Sequence, residues 1–359
     1  MRGTGACAVL SRCFCGALRG KTGRVGSLRM SHFPPPPKLP PKTGLFRRVP
    51  PAVFPAVLGL LGLVSAWRHA IAAFGVPTPP VDMAIGAVSL LFLFCSGAYL
   101  AKVTLRPGAL VDDVRTLPGR TGVATLCVGL MVEAGLLGQF SPATAIVLLL
   151  LGFTGLLVLA LHVLPQRLRG TDTAGPPTPA LHLVFVGFIV APGAAAPLGL
   201  AEAFLPWLIW YCIAAAVLVS VVTMGPLVTG NAPVPIRPLQ VIHLAPWAFF
   251  SMSANLTGQV VLAQVSLVLA CLVALVLAVR IRWLTAGEFS GFWSAFTFPV
   301  TALAGAFLTS YLSLGFEPLR VAGGLVLVAV TLYVPVIAFK VLKAWASGTL
   351  AVKTNASIA

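Results

Sequence analysis

The sequence predicts an all-α polytopic membrane protein, with ten transmembrane helices paired as five hairpins about a cavity. Three observations carry this. Of 359 residues, 58% are hydrophobic and only 9% are charged, whereas a soluble domain needs roughly 25% charge to clothe its surface. The apolar residues fall in runs close to the about 20 residues that cross a bilayer as a helix. The period-2 alternation over about ten residues that marks a membrane barrel is absent. A soluble enzyme, a disordered chain and a disulfide-rich secreted module are thereby excluded.

In chain order, residues 1–49 read as a basic, Pro-rich tail. They hold ten Lys and Arg and no acid. Arg12 interrupts any signal-peptide core. Two readings remain open: a basic targeting-like extension, or an over-long start with initiation at Met30. Pro34–Pro37 then form a linker into the first span. Residues 50–345 form the membrane domain, with spans at 52–74, 83–105, 121–139, 143–164, 179–199, 204–224, 239–257, 260–281, 289–312 and 321–343. Residues 346–359 are a short tail.

Charge orients the spans. The net charge is +16, which on a membrane protein speaks of topology rather than of a nucleic-acid partner. With ten spans, 22 of the 24 Lys and Arg fall on one side, and only Arg68 and Arg320 on the other. The positive-inside rule then places both termini in the cytoplasm.

The spans are of two kinds. Pro55, Pro192, Pro246 and Pro299 lie in spans one, five, seven and nine, whereas the even spans are smooth Leu/Val/Ala runs apart from Pro206 near the start of the sixth and Pro335 in the tenth. Proline removes a backbone donor, and the freed carbonyl must find a partner or water. Broken helices therefore belong around a cavity, and smooth ones against lipid. Pro192, Pro246 and Pro299 stand 54 and 53 residues apart, one hairpin length; span three lacks the matching proline. The odd spans also carry Ala191-Pro192-Gly193-Ala194-Ala195-Ala196, the donors Ser251, Ser253 and Asn255, and Thr297, Thr301 and Thr309. These fit close helix packing and pore lining equally.

Sites for chemistry are missing. None of His32, His69, His162, His182 and His243 pairs with an acid or Cys at ligand spacing, and no phosphate loop is present. No catalytic residue, metal or cofactor is expected. Cys95, Cys127, Cys212 and Cys271 read as small apolar side chains within spans. Glu133 is the one acid inside a span. It is either a coupling acid or a group that reaches the interface, about 9 Å away along its helix. A proton-coupled transporter needs several acids or His at depth, and a cation pore an acidic ring. Their scarcity suits a passive path for anions.

In span nine, Phe292-Trp293-Ser294-Ala295-Phe296-Thr297-Phe298-Pro299 resembles the signature of the tellurite-resistance/dicarboxylate transporter family. That family includes bacterial TehA proteins, fungal malate and sulfite transporters, and the slow anion channels of plant guard cells. Phe54-Pro55, Gly59 and Ala66-Trp67 in span one, and Leu244-Ala245-Pro246 in span seven, follow the family's order. The resemblance covers about residues 45–345. It implies five hairpins around a central pore, a homotrimer with one pore per protomer in the plasma (inner) membrane, and a pore plugged by Phe298 beside Pro299. Some bacterial members have Gly facing the plug where this chain has Pro55. Two functions follow as expectations. One is an anion channel or passive transporter gated at Phe298. The other is a coupled exporter of tellurite, sulfite or a C4-dicarboxylate that uses Glu133. A non-transporting scaffold is the third reading.

Overall fold

The computed structural model describes Gly44 and residues 46–359, with the side chains of 201–206 left aside. The expectations for Cys7, Cys13, Cys15, Met30, His32 and Pro34–Pro37 lie outside the described residues.

The first hairpin is α1 (Phe54–Phe74) and α2 (Thr78–Leu105). A short α3 (Gly108–Val114) leads to α4 (Leu117–Leu137), which pairs with α5 (Pro142–Leu168). Thr116 caps α4 by accepting from the Gly119 N–H at 3.2 Å, which satisfies one of the spare donors of the first turn. The third inner segment is not one kinked helix. It is α6 (Leu181–Phe185), a 3-10 turn (Gly187–Val190), α7 (Ala191–Ala195) and a second 3-10 turn (Ala196–Leu198), followed by α8 (Ala201–Thr223). After α9 (Gly225–Thr229), a 3-10 run (Val234–His243) feeds α10 (Leu244–Leu256), which pairs with α11 (Val260–Val279). Then α12 (Ile281–Leu284) and a 3-10 turn (Gly291–Phe296) lead to α13 (Phe298–Leu314), paired with α14 (Glu317–Ala346). A last short helix is α15 (Thr349–Lys353). Among the described residues there is no strand.

Among the described residues, seven helical segments are long and apolar enough to cross a membrane. The other three expected spans fall on stretches outside these seven: the broken third segment, α8, and α10 with its 3-10 approach. For these seven, the odd-numbered members of the expected order are the more buried. Between 56 and 78% of the apolar stretches of α1, α4 and the α13 segment are buried, against 28 to 33% in α2, α5, α11 and α14. The inner members touch in a closed ring: α1 on α4, α4 on α7, α7 on α10, α10 on α13, and α13 back on α1.

The prolines do a different job from the one their sequence positions predict. They do not kink continuous helices. Pro55, Pro192 and Pro299 are the second residues of α1, α7 and α13, and Pro246 is the third of α10. Each follows a 3-10 stretch. A proline in the first turn costs little, because its absent N–H would have been a spare donor. The breaks are closed by side chains from neighbouring elements. Tyr333 Oη donates to the Phe296 carbonyl at 2.8 Å, and Ser253 Oγ to the Ile189 carbonyl at 3.2 Å.

Acids neutralise part of the basic face. Lys102 Nζ is 0% exposed and pairs with Asp113 at 2.7 Å. It also donates to the Val49 carbonyl, while Asp113 accepts from Tyr99 Oη and the Ser357 N–H. The 346–359 tail thus folds back: Leu350, Ala351 and Ala356 are buried, and the Ala359 N–H reaches the Arg47 carbonyl.

Arg120 donates to both carboxylate oxygens of Asp172 at 2.6 and 2.7 Å, a bidentate pair, and Arg167 contacts the same group. Burial alone would raise the Asp172 pKa, but the Arg120 hydrogen bond, the Ala174 N–H and the two guanidinium charges hold it below the usual carboxylate range. A depressed native pKa gives stabilisation that is present above the unfolded value and lost as pH falls through the native one. Amide-exchange protection of 170–176 is therefore expected to stay level from neutral pH to about pH 4 and to fall below it. Loss beginning near about pH 6, the histidine range, would contradict the clamp.

Candidate functional site

Within the ring, one aromatic pair separates cavities. Phe298 is the first residue of α13, immediately after the 3-10 break, and only 6% exposed. Its ring stacks on Phe249 of α10, with centroids 5.2 Å apart and planes at 27°. Such stacking adds roughly 0.5–1.5 kcal/mol beyond burial. The ring is seated by Gly62: a Cβ there would lie 2.8 Å from Phe298 Cδ2 and closer still to Thr301 Oγ1. A Cβ at Gly59 would collide with the Thr297 side chain. Two glycines one turn apart thus let α1 and α13 approach at the level of this ring. The residue beneath the ring is Gly62, whereas Pro55 sits about two turns before it, at the start of α1.

A wide cavity of about 300 Å³ lies on one side of the ring. Its walls come from α1 after Gly62 (Ser65, Ala66, Arg68, His69) and from α13 after Phe298 (Thr301, Ala302, Gly305, Thr309). On the other side is a cavity of about 40 Å³, lined by Pro55 and Leu58 before Gly62 and by Phe292, Ser294 and Pro299 around the break. Phe298 lines both. A mouth of about 140 Å³ continues past Pro55 to Lys340 and Lys353. A fourth space of about 20 Å³ runs from Phe298 and Phe249 past Pro246 to His182. The order along both helices is therefore wide cavity, aromatic pair, narrow cavity, lysine-lined mouth.

The expected residues distribute unevenly over this path. Phe298, Pro55, Pro246 and Pro299 line it. Phe54 does not: it is 1% exposed and meets Tyr99 of α2 edge-on at 5.7 Å, on the outer side of α1. Pro192 lines none of these cavities, although its neighbours Gly193 and Ala194 do. Thr297 also stays out of them; its hydroxyl donates to the Ser294 carbonyl at 2.6 Å and shores up the break.

The other hydroxyls divide. Ser253, Thr301 and Thr309 face the wide cavity, while Ser251 and Asn255 meet Ser310 between α10 and α13. Even the lining hydroxyls are committed, since Thr301 donates to the Phe298 carbonyl and Thr309 to that of Gly305. The path therefore offers few free donors.

Glu133 is 3% exposed, so it does not reach water at the interface. Nor is it a wall of the wide cavity, which takes Val132, Gly135 and Leu136 from α4 and Gln139 just past its end instead. Four residues before Glu133, Gly129 packs on Phe92 of α2. That spacing shares a helix face, so Glu133 lies between α4 and α2. No acid lines the wide cavity, whereas Arg68 and His69 do.

Several features carried no local signal in the sequence. Phe249 sits in an ordinary aromatic run, Trp247-Ala248-Phe249-Phe250. His182 and His243, 61 residues apart, meet at 3.1 Å between Nε2 and Nδ1. Two histidines make only half of a usual metal site, and among the described residues no cluster of three metal-ligating side chains occurs.

The model of a family described as SLAC1, voltage-dependent anion channel, matches residues 48–342 of the chain. No curated protein matches it.

Proposed function

The chain belongs to the voltage-dependent anion channel family, and from that premise we propose that it is a passive anion conduit held shut by Phe298 stacked on Phe249. The family's general activity is anion transport across a membrane. The observation that carries the finer reading is that Phe298 walls both the wide and the narrow cavity. An aromatic ring turns a negative face and a positive edge to its surroundings. A ring lying across the path both fills it and repels an anion from its face, so opening requires the ring to swing aside.

The path is oriented by the charge partition: ten crossings, both termini cytoplasmic, the wide cavity outside and the lysine-lined mouth inside. The plasma (inner) membrane and a homotrimer with one pore per protomer are carried from the family resemblance. The apolar faces of α2, α5, α11 and α14 suit lipid.

The second reading is coupled export of tellurite, sulfite or a C4-dicarboxylate through Glu133. The placement of Glu133 between α4 and α2, away from the wide cavity, favours the passive reading. In proteoliposomes, anion flux is expected to be equal with and without a proton gradient, and Glu133→Gln is expected to leave it unchanged. Gradient-driven flux that Glu133→Gln abolishes would establish the coupled reading instead.

A further inference from the structure

We propose that the crevice between α11, α13 and α14 is a binding site for an anionic phospholipid, with an acyl chain in the crevice and the headgroup on Lys340. The site goes beyond the conduit reading and does not depend on the gate.

The crevice holds about 500 Å³, within the about 300–1,000 Å³ of small-molecule pockets. It shares no lining residue with the wide or the narrow cavity, so it lies outside the path. Val241, Leu244, Leu284 and Leu303 form its floor, each 6% exposed or less. Ile281 and Val336 stand on its rim at 46 and 51% exposure. Exposed aliphatic side chains beside spanning helices face hydrocarbon, so the crevice opens to the bilayer.

The polar side chains that line it are committed, with one exception. Thr285 Oγ1 donates to the Ile281 carbonyl at 2.8 Å, Trp293 Nε1 to the Glu288 carbonyl at 3.1 Å, and Tyr333 Oη to the Phe296 carbonyl at 2.8 Å. The two rings therefore offer the crevice their apolar bodies. Lys340 is the exception. It is exposed and takes part in no salt bridge among the described residues. Its Nζ lies 5.2 Å from the centre of the Phe289 ring, where the crevice meets the mouth of the path. Arg282 and Lys343 are exposed close by in the chain. No carboxylate lines the crevice.

A ligand for this shape has a long apolar body and one anionic end. A soluble anion finds no free donor on the floor, and a zwitterionic lipid brings no net charge to Lys340. An anionic phospholipid brings both parts: its chain buries apolar surface on the floor, and its headgroup meets a basic pocket between membrane helices. The chain would lie against Phe296 and Val300, which flank Phe298 in sequence, and so brace the helix break from outside the path.

The full chain in neutral detergent is titrated with dioleoyl phosphatidylglycerol, dioleoyl phosphatidylcholine or glycerol phosphate, and its melting temperature is read. Phosphatidylglycerol is expected to raise it more than phosphatidylcholine, as a ligand of the native state must, and glycerol phosphate not at all. Lys340→Gln should raise the half-effective phosphatidylglycerol concentration about fivefold, the worth of one lysine at an anionic membrane surface. Arg169→Gln, which removes an exposed cation that does not line the crevice, should leave it unchanged. Ala278→Trp at the rim should fill the crevice and remove the response to both lipids. In a second readout, phosphatidylglycerol with a photoactivatable acyl chain should label residues 274–284 and 296–303. Equal stabilisation by the two lipids, equal effects of Lys340→Gln and Arg169→Gln, or label confined to α2 and α5 overturns the site. So does an oligomer that Ala278→Trp dissociates with no lipid response in the parent protein, because a second copy then fills the crevice. If Ala278→Trp does not fold, the Lys340→Gln titration and the labelling decide. None of these readouts measures flux, so the site and the conduit stand or fall separately.

Discussion

Phe298→Ala is expected to raise anion flux through reconstituted protein at least about tenfold, equivalent to ~1.4 kcal/mol off the barrier. The reason is steric and electrostatic together. Without the ring, the wide and narrow cavities join, since Phe298 is the wall they share. Phe249 loses its stacking partner at the same time. The substitution also removes buried apolar contact. Core Phe→Ala changes cost roughly 3–5 kcal/mol, but this ring already borders open space on two sides, so the lower end applies. A control melting curve separates opening from unfolding. Phe298→Leu, which keeps bulk but loses the flat face, is expected to give a smaller rise. Wild-type flux in a folded Phe298→Ala protein would remove the ring from its role.

Lys102→Met is expected to give the largest loss of stability, about 3–5 kcal/mol, the cost of leaving one member of a buried ion pair uncompensated. Both partners are essentially inaccessible, at 0 and 1% exposure. Asp113 would keep Tyr99 Oη and the Ser357 N–H but lose its salt-bridge partner among the described residues. The Val49 carbonyl would lose its donor as well. The pair ties together α2, α3, the entry to α1 and the folded-back C-terminal segment, so its loss loosens the lysine-lined end of the path. Thermal melting in detergent reads the effect. Adding Asp113→Asn should recover part of it, because the uncompensated charge is then gone. Equal stability of Lys102→Met and wild type would mean that the pair is a passenger.

The hairpin plan was legible because two physical periodicities reach the sequence directly. Apolar length sets the spans, and the alternation of proline-bearing and smooth spans separates the buried helices α1, α10 and α13 from the half-exposed α2, α5 and α11, with α14 and its Pro335 as the exception. What proline does locally was not legible. A proline in a span reads as a kink, yet at Pro55, Pro192 and Pro299 a 3-10 stretch precedes it and the α-helix begins one residue before. Sequence position alone does not reveal where helix hydrogen bonding starts.

The site was partly legible for the same reason. Phe298 stood out because it sits beside Pro299 in a recognisable run. Phe249 had no such neighbour, and only the fold brings it to within stacking distance. Gly62 was one glycine among 35 until the close approach of α13 gave it a purpose. Glu133 drew attention as an acid at depth, but one residue's turn of the helix decides between facing the cavity and facing α2. The charge sum concealed pairing too: Lys102, Arg120 and Arg167 count as positive, yet each has a carboxylate against it. Arg68 in the wide cavity and Lys340 and Lys353 at the mouth are basic residues that line the path itself.

The most direct test of the conduit is the reversal potential of current through Phe298→Ala protein in a planar bilayer. Gradients of chloride, nitrate, sulfite and malate are imposed in turn, each with and without a pH difference. The passive reading predicts that reversal follows the gradient of the permeant anion, with an order among the four anions that is independent of pH difference. Reversal that moves with the proton gradient, or that tracks the cation, would contradict it.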